Sequence, residues 1–373
     1  MHNTSVRVIS NITKFLYQKT VKPLLFTINP EKVHDTTLLA ASTSGKIAPL
    51  RWLVKKSWSY RDSSLTQTVD GIYYENPIGL AAGWDKDAKA ISLMEPIGFG
   101  FNEVGSITQH PYAGNEGTRL WRLPKSSSIA VYYGLKNQGV DTIAPRIAKT
   151  NSTIPVGTNI ARTNSPNCDD AASIEDYAYS FKKLSHIGDY FTINVSCPNT
   201  FGGQPFHDKK RLDLLLSRLD TIKTKKPVYI KLSPDITFKE RQAIAKLAFT
   251  HNVQGFICGN LTKNRTLRSI YDENIPDVGG LSGKVVEELS NRLISDMYTL
   301  TNGQKTIIGL GGVFSGEDAY RKITLGASLV QLITGLIYQG PQCVGDINKE
   351  LAFTLKNNGY NNVQEAVGTA HNH

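Results

Sequence analysis

The chain has 373 residues, of which 40% are hydrophobic and 9% aromatic, enough for a large buried core, so a disordered or fibrous protein is excluded. No uncharged apolar stretch approaches the roughly 18 residues of a membrane-spanning helix, and the start lacks the features of a secretory signal. The net charge of +10 is uneven, because residues 1–60 carry nine basic and two acidic side chains. This concentration does not favour a nucleic-acid partner.

Residues 1–60 are predicted to form two or three short basic amphipathic helices. Val8, Ile12 and Phe15 recur at helical spacing with lysines nearby, and Pro30 suits the first turn of a following helix. Such helices either bind an anionic membrane surface or form a cap packed on the main domain. The pattern alone leaves both interpretations open.

From about residue 72 the sequence alternates short apolar runs with helical stretches. Eight runs are predicted to be strands, at 77–83, 99–106, 154–160, 190–196, 227–233, 254–260, 306–312 and 328–334. Helices are predicted at 86–95, 172–186, 236–251, 283–302 and 315–325. Near-continuous apolar strands indicate burial on both faces, and eight such units are the count of a (β/α)₈ TIM barrel. An open doubly wound sheet is the alternative.

The preferred fold class is therefore α/β, with a TIM barrel over 61–373 and a small helical cap over 1–60. Each predicted strand ends in polar or glycine-rich sequence, and barrel enzymes carry their chemistry at these carboxyl ends. The insertions 107–153 and 261–282 follow the second and sixth strands, so we expect loops or small elements over the same face.

The glycine-rich segments 309–316 and 325–335 follow and surround the seventh and eighth strands. This is the usual phosphate-binding position in such barrels, because glycines let backbone N–H groups approach phosphate oxygens. A dinucleotide fingerprint fits poorly, since Phe314 stands where its last glycine is required.

Cys197 follows the fourth strand, where a thiol serves as nucleophile or general base, or else as a small buried hydrophobe. Lys86 and Lys231 end apolar strands, which favours an anionic ligand because lysines are seldom buried unpaired. Four amides near the same mouth indicate a ligand with amide or imide edges: Asn159, Asn194, Asn199 and Asn260.

The four cysteines, Cys168, Cys197, Cys258 and Cys343, include no CxxC pair. A disulfide framework or zinc site is not indicated, and a reducing compartment is expected. The eight histidines are scattered, so we predict no metal site.

Several motifs in one order resemble the dihydroorotate dehydrogenases, from about residue 15 to 370. They are NPIGLAAGWDK, GFGFNEVGSIT, NVSCPNT, YIKLSPD, GGLSGK, IIGLGGVFSG and GASLVQL. The basic helical N-terminus, with PEKVHD at 30–35, resembles the membrane-associated, quinone-using branch of that family.

The resemblance implies FMN-dependent oxidation of dihydroorotate to orotate, in pyrimidine biosynthesis, with a quinone as acceptor. Cys197 would take the proton from C5 while C6 delivers hydride to the flavin, and the quinone would enter near His34 and Arg122. The substrate residues implied are Lys86, Asn194, Asn199 and Asn260. The FMN residues implied are Ala82, Gly83, Ser106, Asn159, Asn194, Lys231, Gly283, Gly312 and Thr334.

Three positions depart from the quinone-using pattern: Cys197 stands for a serine base, Val131 for an asparagine and Leu261 for a threonine. Each of the two missing polar contacts, at Val131 and Leu261, costs about 1–3 kcal/mol if a buried substrate group stays unpaired. The alternatives are therefore a related FMN dehydrogenase acting on another cyclic amide or imide, and a flavin-binding paralogue without turnover.

The expected partners are dihydroorotate and orotate, a quinone and an anionic membrane surface, with no nucleic acid. We expect peripheral attachment to the cytoplasmic face of a bacterial inner membrane, with the mitochondrial inner membrane as the alternative.

Overall fold

A computed structural model describes residues 2–166, 169–201, 203 and 205–371, so Cys168 lies outside the described residues. The strands are β1 (Gln67–Val69), β2 (Ile72–Tyr74), β3 (Ile78–Leu80), β4 (Phe101–Ile107), β5 (Leu120–Leu123), β6 (Ser128–Val131), β7 (Val156–Ile160), β8 (Tyr190–Asn194), β9 (Val228–Leu232), β10 (Gly255–Cys258), β11 (Gly280–Gly283), β12 (Thr306–Leu310) and β13 (Leu329–Leu332). The helices are α1 (His2–Leu16), α2 (Lys22–Thr27), α3 (Pro30–Ser44), α4 (Ala48–Trp58), α5 (Ile91–Ile97), α6 (Val140–Lys149), α7 (Asp170–Leu184), α8 (Lys209–Asp220), α9 (Phe238–Thr250), α10 (Glu287–Leu300), α11 (Gly316–Thr324), α12 (Thr334–Gln339) and α13 (Cys343–Asn357), with a π-helical turn at Tyr17–Val21.

Eight parallel strands close into a barrel in the order β3-β4-β7-β8-β9-β10-β12-β13, and β13 pairs back with β3. All eight strands are those predicted from the apolar runs, so the TIM-barrel prediction is confirmed and the open-sheet alternative is wrong. Parallel strands covered by helices bury both faces, which is why the runs are almost wholly apolar.

The bottom of the barrel is filled by aromatic rings. Phe101, Tyr190 and Tyr229 form one buried cluster together with Tyr74 from the antiparallel β1–β2 hairpin. A Cβ atom on Gly157 would lie 2.1 Å from the Tyr190 ring, so glycine is required there.

Four of the five predicted helices correspond closely to α7, α9, α10 and α11. The helix predicted at 86–95 begins only at Ile91, because the preceding loop is organised around Asp85. This buried carboxylate accepts the backbone N–H groups of Lys89 at 2.8 Å and Ala90 at 2.7 Å. The sequence analysis missed α6, α8 and α13, although leucines at helical spacing mark α8.

The two long insertions fold together over the carboxyl ends of the barrel strands. The first supplies β5 and β6 and the second supplies β11, and the three form one antiparallel sheet in the order β11-β6-β5. The expectation of small elements on this face is confirmed.

The N-terminal helices contact the barrel through several side chains. Pro30 begins α3 as predicted, with the Asn29 side chain accepting the N–H groups of Glu31 and Lys32. Ser10 Oγ donates to Asp346 at 2.6 Å, and Arg119 pairs with Glu31. The boundary at residue 60 remains a prediction.

Large apolar side chains on these helices and on the connections between them are exposed: Ile9, Ile12, Phe15, Leu16, Val21, Leu24, Ile28, Leu39, Ile47, Trp52 and Leu53. In the part of the chain that the structure describes, no helix has both the length and the apolar character needed to cross a bilayer.

Candidate active site

A cavity of about 930 Å³, including its open mouth, lies at the carboxyl ends of the barrel strands. Six of the predicted cofactor residues and one predicted substrate residue line it: Ala82, Gly83, Lys231, Gly283, Gly312, Thr334 and Asn260. His34 from α3 completes one wall. The strand ends that converge here are those that the polar residues marked in the sequence.

A directional chain of hydrogen bonds runs across the mouth of the barrel beside this cavity. Asn260 Nδ2 donates to Ser196 Oγ at 2.8 Å, and Ser196 Oγ donates to Asn194 Oδ1 at 2.9 Å. Asn194 Nδ2 donates to Ser106 Oγ at 2.8 Å, and that hydroxyl donates to Asn159. Four residues predicted to bind substrate or flavin are thus held in one network, and Ser196 is a member that the sequence analysis missed.

The network ends on Glu103, which is fully buried inside the barrel on β4. Its Oε1 accepts from Asn159 Nδ2 at 2.8 Å and lies 3.8 Å from Lys231 Nζ. Burial lowers the pKa of Lys231, and the Glu103 carboxylate acts in the opposite direction. The sequence analysis gave Glu103 no role, although it is the charged residue inside the apolar run 99–106.

The glycine-rich turn after β12 is fixed by the carboxylate of Asp318. This carboxylate accepts the backbone N–H of Phe314 at 2.8 Å and that of Ser315 at 3.0 Å, and it pairs with Lys284 at 2.7 Å. Gly312 in the turn has φ +76°, and a Cβ there would lie 2.8 Å from the Cα of Glu287. The turn is therefore preorganised and tolerates no side chain at position 312.

The resemblance places the FMN phosphate at this turn, so Gly312→Ala is expected to weaken flavin binding by roughly tenfold or more, since a strained backbone shift of about 1.4 kcal/mol already has that effect. Fluorescence titration of the apoprotein with FMN measures it. Gly117→Ala is the matched control, because Gly117 also has positive φ but a Cβ there meets nothing within 4 Å. Unchanged affinity in Gly312→Ala would contradict the role of the turn.

Cys197 lies half-buried on the loop that follows β8. Burial raises the pKa of its thiol to about 11, while the backbone N–H of Asn199 and then the charges of Lys231 and Lys263 act to lower it. Lys263 was not identified from the sequence. The thiol is thus protonated at rest and beside cations that stabilise its anionic form. Cys258 and Cys343 are buried and free, which fits small hydrophobes.

Lys86 faces a second cavity of about 1420 Å³, including its wide open mouth, between α3 and the barrel. Its ammonium lies 4.2 Å from the centre of the Tyr133 ring, and burial, followed by Lys136, lowers its pKa to about 8. His34, Trp84 and Tyr133 line both cavities and so form the wall between them. The structure therefore does not bring Lys86 together with Lys231 and Asn260.

Asn199 faces a third cavity, of about 810 Å³, under the loop that carries Cys197. Its Nδ2 donates to the carbonyl of Val131 at 2.8 Å, and its buried Oδ1 has no hydrogen-bond partner among the described residues. Val131 and Leu261 line the first cavity. The hydroxyl of the adjacent Thr262 is bound by Asp235 at 2.5 Å and does not replace a polar group at position 261.

His34 and Arg122, the predicted quinone residues, connect the N-terminal helices to the barrel. His34 Nε2 lies 3.0 Å from the carbonyl of Trp84. Burial, followed by the Lys86 charge, lowers the pKa of His34 to about 4, so its ring is neutral at physiological pH. Arg122 donates to the carbonyl of Ile28 at 2.7 Å and covers the Phe26 ring at 4.7 Å. Arg122 is not among the residues that line the first cavity.

Metal ligation has no candidate here: among the described residues, no group of three histidine, cysteine or acidic side chains is placed to hold an ion. The site instead offers backbone N–H groups, amides, ammonium groups and one thiol. This set suits a planar ligand with amide edges and an anionic group.

Known proteins that are similar to this chain are dihydroorotate dehydrogenases. The family model described as dihydroorotate dehydrogenase matches residues 64–355. A protein named dihydroorotate dehydrogenase (quinone) from Gloeobacter violaceus is 39% identical over 94% of this chain and 98% of its own length. Its namesake from Nostoc punctiforme is 38% identical over 95% and 98%.

Among solved structures, a dihydroorotate dehydrogenase from Eimeria tenella in complex with ferulenol superposes with a TM-score of 0.83 at 30% identity, covering 92% of this chain and 96% of that one. The match extends through the barrel and into the N-terminal helices. The chain therefore belongs to the dihydroorotate dehydrogenase family.

Proposed function

We propose that the protein oxidises dihydroorotate to orotate with a quinone as the electron acceptor, a step of pyrimidine biosynthesis, and that FMN is its cofactor. The observation that carries the proposal is the first cavity, which extends from Lys231 and Asn260 at the barrel mouth to His34 on the N-terminal helices. One cavity thus joins a polar, substrate-type site to the N-terminal helices, through which a lipophilic acceptor would enter.

The residues present fit FMN. The turn at Gly312 offers backbone N–H groups in a conformation where a Cβ would collide with Glu287, which suits a phosphate. At Gly83, with φ +119°, the nearest atom to a Cβ is Ile333 Cδ1 at 3.6 Å, so a flat ring can approach the backbone there. Asn159, Asn194 and Lys231 supply amide and ammonium groups for the polar edge of the ring.

When bound, FMN supplies the two-electron chemistry that the side chains lack. Cys197 would receive the proton from C5 of dihydroorotate, and Lys231 and Lys263 would stabilise the thiolate that this role requires. Asn260 and Asn194 are held by the hydrogen-bond chain and would orient the ring amides. Asn199 faces the third cavity, so its buried Oδ1 would accept a substrate N–H group only after the side chain turns toward the first cavity.

Lys86 would bind the substrate carboxylate only after its side chain turns from Tyr133 toward the first cavity. Its position over the aromatic ring, without an ion pair among the described residues, leaves the ammonium free for this role. The quinone would enter between α1, α2 and the barrel, with the neutral His34 at the wall and Arg122 near the entrance.

Peripheral binding to an anionic membrane is supported by the exposed apolar side chains of the N-terminal helices and by the basic residues between them. Phe15 is 63% exposed and Leu24 64% exposed, while Lys14, Lys19 and Lys22 lie close by in sequence. We propose that this membrane is a bacterial inner membrane and that the protein binds its cytoplasmic face, in keeping with the bacterial relatives.

Phe15→Glu is expected to weaken binding to vesicles of phosphatidylglycerol and phosphatidylcholine by roughly tenfold, because burying a phenylalanine contributes about 1.5–3 kcal/mol. Sedimentation with the vesicles measures the change. Phe353→Glu, at a residue 66% exposed on α13, is the matched control and should bind as the wild type does. Equal loss in both variants would refute a specific membrane face.

The proposed activity is tested by adding dihydroorotate to the purified holoprotein without oxygen. We expect the yellow flavin absorbance to bleach, and a quinone added afterwards to restore it. Persistent absorbance would overturn the proposal and favour another cyclic amide or imide as substrate, or a protein without turnover.

A further inference from the structure

Five polar groups surround the carboxylate of Glu103 inside the barrel. Besides the Lys231 ammonium at 3.8 Å, four side chains donate hydrogen bonds to it over 2.8 to 3.3 Å: Asn159, Tyr190, Thr192 and Gln331. These five groups come from β7, β8, β9 and β13 and enclose both oxygens.

Hydrogen-bond donors around a buried carboxyl group decide whether its charged form is stabilised. A buried carboxyl group without donors becomes neutral, whereas one that accepts several hydrogen bonds is stabilised as the anion. Glu103 is 0% exposed and the Lys231 side chain is 4% exposed, so little solvent screens the attraction between them. The Glu103 carboxylate therefore acts strongly on Lys231 and raises its pKa against the effect of burial.

Lys231 needs this partner because burial disfavours its charged form. The groups that act on it are Glu103 on β4 and Cys197 after β8, and Glu103 is the stronger of the two in raising its pKa against burial. Tyr190 touches the same carboxylate from β8, and burial raises its pKa well above the usual value, so it stays a neutral donor. Tyr74 lies below, and burial keeps it neutral in the same way by raising its pKa.

We propose that Glu103 is a positioning residue for the flavin: its carboxylate keeps the Lys231 ammonium protonated and holds Lys231 and Asn159 in place at the floor of the cavity. An ammonium there attracts the electron-rich polar edge of a flavin more strongly than a neutral amine does. The inference rests on the proposed function in so far as the ligand of this cavity is FMN.

The test is the FMN dissociation constant of apoprotein, measured by flavin fluorescence from about pH 6 to about pH 10. Glu103→Gln keeps the size of the side chain and removes its charge. Without the carboxylate Lys231 loses its proton at lower pH, so the variant should match the wild type near pH 6 and bind roughly tenfold more weakly by about pH 9. Wild-type affinity should change much less over this range.

Thr192→Val is the matched control, because it removes one hydrogen bond to the same carboxylate without changing its charge. Its affinity should follow the pH dependence of the wild type. Glu103→Asp is made alongside in case Glu103→Gln does not fold. Glu103→Asp keeps the charge but places it one methylene farther from Lys231. Its loss of FMN affinity with rising pH should therefore lie between that of the wild type and that of Glu103→Gln.

If the FMN affinity of Glu103→Gln changes with pH as that of the wild type does, the role of Glu103 is overturned and the proposed function still stands. If only Glu103→Asp folds, the same result in that variant has the same meaning. Equal pH-dependent loss in Thr192→Val would overturn it too, because charge would not be the cause. Wild-type apoprotein that binds no FMN would instead overturn the cofactor proposal on which the inference rests.

Discussion

Replacing Cys197 with alanine is expected to slow the reduction of bound flavin by dihydroorotate roughly 100-fold or more, the usual contribution of a positioned general base. FMN should stay bound, because Cys197 does not line the cavity that the predicted flavin residues surround. Anaerobic stopped-flow absorbance gives the reduction rate, and the flavin spectrum after gel filtration gives occupancy. Wild-type rates in the variant would place the base elsewhere.

The pH dependence of the same reaction gives a second check. Because burial raises the pKa of the Cys197 thiol to about 11, only a small fraction is thiolate near pH 7, and that fraction rises with pH until the pKa is reached. The reduction rate should therefore climb by roughly tenfold per pH unit between about pH 7 and pH 9. Cys258→Ala, at a buried cysteine below the site, should leave this profile unchanged.

Deleting residues 2–29 should lower quinone-dependent turnover by roughly 100-fold, the scale of misplacing a bound reactant, while flavin reduction by dihydroorotate stays close to the wild-type rate. The deleted segment contains α1, the π-helical turn and α2, and the shortened chain keeps α3 with His34. Steady-state assays with a short-chain quinone and anaerobic stopped-flow separate the two half-reactions.

A deletion to residue 60 is less informative, because Leu38, Val54, Trp58 and Tyr60 pack against the main core and their loss would destabilise the barrel. Arg122→Gln is a milder test of the same role. It removes the contact to the Ile28 carbonyl and should lower quinone turnover without affecting flavin reduction. Full quinone turnover after the deletion would refute the role given to the N-terminal helices.

The barrel could be predicted because its physical cause, the burial of each strand on both faces, is visible in the local sequence. A strand buried on both faces must be nearly all apolar, and its carboxyl end must turn polar where the chain leaves the core. The limits of α5 were not predictable in this way, since they depend on where the Asp85 carboxylate finds backbone donors.

The site was predicted in part for the same reason. Lys231, Asn260 and Gly312 stand at strand ends and meet in one cavity. Lys86 stands at a strand end too, yet its side chain turns to the Tyr133 ring, which belongs to a distant insertion. Glu103 was overlooked because its partners lie on other strands, and spacing along one strand contains no information about them.

The sheet over the barrel mouth also determines when the site can form. Ser128 on β6 pairs with Gly283 on β11, and four barrel strands, β7 to β10, lie between them in the chain. During synthesis the β5–β6 hairpin must therefore wait for most of the barrel before its third strand emerges. Contacts so distant in sequence form slowly, so a competent flavin pocket is completed late in folding. A nascent chain that stops before β11 lacks the third strand of the sheet that covers the barrel.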